Sequence, residues 1–400
     1  MKKLILILLC AAMLLAVAAG CAGGADEPAI DESSAAEELP SLDDLENGPD
    51  DSEAEPNENG DESERDCFIM DFYGAFHTFD PDTIMMTTAG DLTVTWEELF
   101  FGLHIAIMSV LEHLGEITDW YEVFADNMTL AESVLSMAED HILRFKATEY
   151  GANLHGAVLS QEMQTFARIQ MDTFIEMYGG EDGFLEFLWY DIGIRRESLF
   201  ESIFKTYLLM DAIFEEVFGQ DNILLTDRMV EDFFAERDDG FMMAKHILVS
   251  FGDDPENAQV RADGIWNRLN QYTGDDIELF FDELMREYSE DPGLANFPQG
   301  YLFQFFDMVP EFSQGTHELE IGQFSHPIET IHGFHIILRL PLALDEVPIS
   351  FMNIGRFETL RDFAAMNLFS AMAGDWFDAL RPVHTAEFNS IVLSEIFLPC

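Results

Sequence analysis

The chain has 400 residues and 45.4 kDa, enough for two or three domains. It carries 77 Asp and Glu against 19 Lys and Arg, a formal charge of −58, which repels phosphates and argues against nucleic acid as a partner. Hydrophobic residues make up 48% and aromatics 12%, so the chain can bury a core and must carry its charge outside. Four cysteines, Cys10, Cys21, Cys67 and Cys400, are too few and too scattered for a disulfide framework or a CxxC metal site.

Lys2 and Lys3 precede an apolar run over 4–19, the pattern of a secretory signal, too short for a stable membrane span. The run ends in Ala18-Ala19-Gly20-Cys21, which resembles a bacterial lipobox with Ala where Leu is usual. The resemblance implies a signal over 1–20 and a lipid on Cys21, holding the protein on the extracytoplasmic face of the cell membrane. An ordinary cleaved signal beside a chance cysteine is the alternative. Over residues 22–66, 18 of 45 positions are acidic, against one Arg65. Self-repulsion and scant apolar surface predict a disordered tether over 21–66.

Residues 84–94 read as a hairpin, and Thr95 with Glu98 as the capping box of a helix. Helical periodicity continues over about 129–150, 160–178, 181–190, 195–218 and 226–236. The pattern changes at residue 241: an apolar strand over 242–251, helices over 258–272 and 276–288, and a Gly/Pro-rich loop over 291–300. A short segment at 308–312 and two strands over 325–330 and 334–340 follow. The expected fold class is α+β. A compact module of strands and helices over 241–341 is inserted into a mostly helical domain built from 67–240 and 342–400. The amphipathic helix over 356–380 is expected to dock on the helices of 95–240 and not on the module.

No P-loop, GxGxxG, HExxH or Ser-His-Asp pattern occurs, and no histidine pair has metal-ligand spacing, so neither a metal nor a cofactor is expected. His246 and His335 differ from the other nine histidines, because each interrupts an apolar strand. A buried strand tolerates such a group when it is hydrogen-bonded. If the strands are neighbours, the two imidazoles would pair and fix each other's tautomers.

From 242 to 340 the sequence resembles the parvulin-type peptidyl-prolyl isomerases. The marks, in order, are Lys245-His246-Ile247-Leu248-Val249, Tyr288-Ser289-Glu290-Asp291-Pro292, Met308-Val309-Pro310-Glu311-Phe312, Gly322-Gln323-Phe324-Ser325-His326-Pro327-Ile328 and Thr330-Ile331-His332-Gly333-Phe334-His335-Ile336-Ile337. The family's Gly-Gly-Asp-Leu-Gly loop is here Phe297-Pro298-Gln299-Gly300-Tyr301-Leu302-Phe303. The wider layout resembles extracytoplasmic foldases of the PrsA and SurA type. In those, helical segments before and after the parvulin module form a chaperone domain, and residues 159–219, with Phe184, Leu185, Leu188 and Gly193, look like the first of them.

The resemblance implies an antiparallel sheet wrapped by helices. His246 and His335 would form a central imidazole pair tied to Thr330, with Asp291 where relatives carry Asp or Cys near the substrate carbonyl. Met308 and Phe312, with Phe303 and His332, would contact substrate. On the residues alone, Met308 and Phe312 lie four apart, as on one helical turn, and serve a proline pocket or plain core packing. Asp291 is a site residue or a turn residue before Pro292. Isolated Arg261, Arg268 and Arg286 give no phosphate-binding cluster, which argues against a phosphoserine-proline preference. Three functions follow: a membrane-tethered isomerase and chaperone for unfolded or newly secreted proteins with X-Pro bonds, a holdase without useful catalysis, and an assembly partner at the cell surface.

Overall fold

In the computed structural model the described residues are 72–115, 117, 119–125, 127–237, 240–252, 254–355, 358–384 and 396. Cys21, the signal and the tether lie outside them. The contacts divide the chain into two compact units, 1–210 with 373–400, and 211–372, so the second is an insertion in the first. Both are α+β, with small antiparallel sheets among helices.

In the first unit β1 (Ile84–Thr87) pairs with β2 (Thr93–Thr95) and, on its other edge, with β9 (Val383–His384). The Thr95–Glu98 capping box is present and starts α1 (Trp96–Leu114). A second box, Thr129 with Glu132, starts α2 (Leu130–His155) after a hairpin of β3 (Val123–Ala125) and β4 (Met128–Thr129) that periodicity did not signal. Then come α3 (Gln161–Met177), α4 (Glu181–Phe187), a π-helical turn over Leu188–Ile192, and α5 (Glu197–Phe218), inside which the unit boundary falls. The core is aromatic: Phe76 and Trp189 pack on Phe100, and the indole N–H of Trp96 donates to the Phe76 carbonyl at 2.7 Å. Fully buried Glu97 is tolerated because it accepts the Arg195 and Arg196 backbone N–H groups at 3.2 and 2.9 Å and pairs with the Arg196 guanidinium.

The second unit holds α6 (Asp227–Ala235), β5 (Phe241–Ser250), α7 (Pro255–Asn270), α8 (Ile277–Tyr288), β6 (Tyr301–Gln304), α9 (Pro310–His317), β7 (Ile328–Thr330) and β8 (Gly333–Leu340). α10 (Ile349–Asn353) and most of α11 (Leu360–Ala379) complete it. The sheet runs β6-β5-β8-β7, all antiparallel. Central β5 is buried on both faces, and its two-residue period sorts the side chains. Phe241, Met243, Ile247 and Val249 join the core under α7 and α8, whereas Met242 and Ala244 join the one beneath α9. Lys245 takes the helix-facing side, where Glu278 and Asp282 of α8 meet its ammonium at 2.7 and 2.8 Å. His246 falls on the α9 face.

Three expectations are corrected. Strand β6 lies where the sequence read as the end of a loop; it is a four-residue strand, too short to show a period. Helix α9 begins at Pro310, so Met308 precedes it in extended backbone and does not share a helical turn with Phe312. The helix expected at 356–380 does not avoid the module. Leu360, fully buried, and Phe363 belong to the core under α7 and α8, where Phe363 meets Phe241 at 5.8 Å and Phe234 of α6 at 6.2 Å. The apolar face of the module therefore extends past its own helices, and 211–240 and 342–372 group with it. Farther along α11, Trp376 belongs to the first unit and packs on His155 at 5.5 Å.

Candidate functional site

Strands β5 and β8 pair with Leu248 opposite His335 and His246 opposite Ile337. The two histidines are therefore diagonal neighbours on the same face, with ring centroids 5.1 Å apart and planes inclined by 69°. Both are nearly buried, 8% exposed for His246 and 5% for His335. Gly333 fixes the tip of the β7–β8 hairpin: its φ is +142°, and a Cβ there would lie 2.3 Å from the Val249 carbonyl oxygen.

The imidazoles make no hydrogen bond to each other. The tautomer of His335 is instead set by Thr330, whose hydroxyl lies 3.0 Å from the ring Nε2. That hydroxyl accepts the His332 N–H at 3.1 Å and directs its single proton to the Gly333 carbonyl at 3.3 Å. Nε2 of His335 is then the protonated nitrogen, and buried Nδ1 is left without a partner. Burial, and then His246 and His332, push the His335 pKa down to about 3, so this imidazole is neutral at ordinary pH.

Asp291 is brought to His246 by the segment after α8, which is laced to β5. The Ser289 hydroxyl accepts the Leu248 N–H, Glu290 N–H donates to the Leu248 carbonyl at 2.8 Å, and the Glu290 carboxylate accepts the Ser250 N–H at 2.7 Å. Asp291 Oδ2 then sits 3.4 Å from His246 Nε2, too far for a well-formed hydrogen bond but close enough for strong electrostatic coupling. The same oxygen accepts the Tyr301 hydroxyl at 2.6 Å, and Oδ1 accepts the Gly293 N–H at 3.0 Å. Burial raises the Asp291 pKa, but adjacent His246 and the hydrogen bonds from Tyr301 and Gly293 outweigh it and hold the carboxyl well below the usual range. Burial and the adjacent carboxylate push the Tyr301 phenol above its ordinary value.

Phe312 of α9 stands edge-on to both imidazoles, at 5.1 Å from His246 and 5.4 Å from His335. At 2% exposure it is as much a core residue as a wall of the site. Phe303, fully buried, backs Phe312 at 5.6 Å, so it shapes the site from behind and offers no surface to a substrate. Met308 is half-buried in the same cluster and His332 is exposed on the β7–β8 turn. Thus the structure gathers His246, His335, Thr330, Asp291, Phe312 and Met308 on one face of the sheet. Among the described residues no group of three or more His, Cys, Asp or Glu is placed to hold a metal ion.

Tyr301 is the residue that sequence reasoning missed. Its ring lies parallel to His246, 5.4 Å away and inclined by 9°, and Phe297 packs on it at 4.8 Å. Gly300, with φ +105°, lets β6 start this close to β5, since a Cβ there would come within 2.7 Å of the Ala244 carbonyl oxygen. The signal was the Gly-Tyr-Leu-Phe run itself, a turn glycine followed by strand-forming residues.

Residues 246–340 match the family model described as Rotamase, PPIC-type PPIASE domain. The chain is 34% identical over 184 residues to a foldase protein PrsA of Halalkalibacterium halodurans, covering 45% of this chain and 49% of that protein. It is 34% identical over 97 residues to a chaperone SurA of Vibrio cholerae, covering 24% and 21%. It is 31% identical over 170 residues to a putative peptidyl-prolyl cis-trans isomerase Cbf2 of Campylobacter jejuni, covering 38% and 59%. The chain thus spans less than two thirds of the length of each of these relatives. Residues 246–340 are a parvulin-type peptidyl-prolyl isomerase domain, in a chain similar to proteins of the PrsA and SurA kind.

Proposed function

We propose that the chain is a peptidyl-prolyl cis-trans isomerase and chaperone, held on the extracytoplasmic face of the cell membrane by a lipid on Cys21, that assists newly secreted proteins. Isomerising an X-Pro bond needs no covalent step. Its barrier of about 20 kcal/mol is loss of amide resonance, and a catalyst must hold the twisted bond better than either planar form. The observation that carries the reading is the neutral His335 beside His246, walled by Phe312 and edged by Met308 and the Asp291 carboxylate. A nearly buried pocket with a neutral His335 suits the twisted amide, which is less polar than the planar one, and Met308 offers the proline ring an apolar contact. His246, His335, Thr330 and Asp291 act on the reacting amide; Met308, Phe312 and His332 line the substrate's path, with Phe303 behind them. The helices of the first unit form the chaperone portion.

The test is a proline-limited refolding reaction with catalytic amounts of the full chain. The wild type should accelerate the slow phase. Met308→Ala should lower kcat/KM at least about tenfold, the loss of a buried apolar contact of roughly 1.5–3 kcal/mol, with unfolding unchanged. A slow phase that does not respond to the wild type would sink the reading. The alternative, a holdase with little catalysis, is favoured by the 2% exposure of Phe312, which leaves the pocket nearly closed. It predicts suppressed aggregation without acceleration.

A further inference from the structure

Tyr301 makes two separate contacts in the site, and each acts on a different partner. Its hydroxyl donates to Asp291 Oδ2 at 2.6 Å, while its ring lies flat against His246. The phenol occupies the carboxylate oxygen that His246 Nε2 faces at 3.4 Å. The imidazole is therefore held by stacking, not by a strong ion pair, and both its ring nitrogens are buried. We propose that Tyr301 is a positioning residue of this site: its hydroxyl fixes the Asp291 carboxylate and its ring supports His246, so that both present constant geometry to the X-Pro amide. The proposal rests on the isomerase reading for its consequence but not for its geometry.

The charged and titratable groups around Asp291 are few. They are His246 from β5, Tyr301 from β6, His335 from β8 with His332 on the adjoining turn, and neighbouring Glu290, which is paired with Arg261 of α7 at 2.8 Å. At 2.6 Å the Tyr301 hydroxyl makes a shorter hydrogen bond to this carboxylate than the backbone N–H of Gly293 at 3.0 Å. Removing it deprives the anion of one charge-assisted donor, an effect of about one pH unit on Asp291.

Tyr301→Phe keeps the ring contacts with Phe297 and His246 and deletes only the hydroxyl. In the full chain, carboxyl carbon NMR should show the Asp291 titration moving up by about one unit. The kcat for isomerisation should fall roughly tenfold with KM little changed, and the acid limb of the kcat profile should rise in step with the titration. A purely structural tyrosine would leave that limb in place. An Asp291 titration unmoved in folded Tyr301→Phe, or an acid limb that stays fixed while the titration moves, overturns the proposal. If Tyr301→Phe does not fold, Tyr301→Leu removes the hydroxyl and the ring together: a kcat loss with unchanged KM supports the proposal and wild-type kcat refutes it. A wild type without isomerase activity would instead refute the proposed function, and the NMR titration would still decide whether Tyr301 controls Asp291.

Discussion

Lowering the pH should weaken the second unit through His335 before Asp291 matters. The folded pKa of this imidazole is about 3, driven down by burial first and by His246 and His332 next, against an ordinary value of 6.5. A depressed folded pKa means the unfolded chain takes up the proton first. The stability contributed by neutral His335 is then complete above pH 6.5 and is lost as pH falls from 6.5 toward 3. Between pH 7.5 and 5 the linkage amounts to about 2 kcal/mol. Asp291 also has a depressed pKa, but its window opens only below about pH 4, where the unfolded carboxyl begins to protonate. The two contributions are therefore separable. His141 in the first unit, lowered to about 4 by burial and then by Arg144, titrates in an overlapping range. The comparison must follow signals of β5 and β8 alone. Urea unfolding read from backbone amides of those strands, in the wild type and in His335→Gln, supplies it. Glutamine keeps a donor for Thr330 and cannot charge. Its baseline stability will differ, but its loss between pH 7.5 and 5 should be smaller by about 2 kcal/mol. Equal losses in the two proteins would refute the argument that His335 is held neutral by burial.

Two further outcomes are expected. Cys21→Ala should move the protein from the membrane fraction to the soluble or secreted fraction, since lipid attachment is the proposed anchor; retention with an unmodified Cys21 would reject the lipobox reading. Leu360→Ala should destabilise the second unit by about 2–5 kcal/mol, because Leu360 is fully buried in the core shared with Phe241 and Phe351; a change below about 0.5 kcal/mol would mean that α11 is not part of that unit.

The parts of the site legible in the sequence were those carried by a period or a short motif. His246 and His335 were visible as polar interruptions of apolar strands, because a two-residue period makes an interior histidine conspicuous. Thr330 lies five residues before His335 across one hairpin, so its bond is almost local. The capping box at Thr95 follows the same logic, since donor and acceptor are three residues apart. What the sequence did not carry was distance in the chain. The pairing of the two imidazoles fails because the strands run with His335 opposite Leu248, which sets the rings diagonal, and register is a property of two strands. Phe303 behind Phe312, and Leu360 beside Phe241, are likewise contacts that no local pattern encodes. Helix α9 was misplaced by two residues because Pro310 favours the first helical position, which leaves Met308 outside the turn.

The construction of the site explains how one loop can depart from its family while the domain stays recognisable. The histidines stand on the two central strands, and the segment carrying Asp291 is stitched to β5 by Ser289 and Glu290, so the backbone of these groups is placed without help from 297–301. That loop reaches the site through one side chain, Tyr301, admitted by a glycine that lets backbone meet backbone. A rigid frame with a single aromatic contact leaves the loop free to vary in sequence while its effect on the carboxylate and the imidazole stays large. Substitutions in the frame should therefore show as lost stability, and substitutions at Tyr301 as altered catalysis in a folded protein.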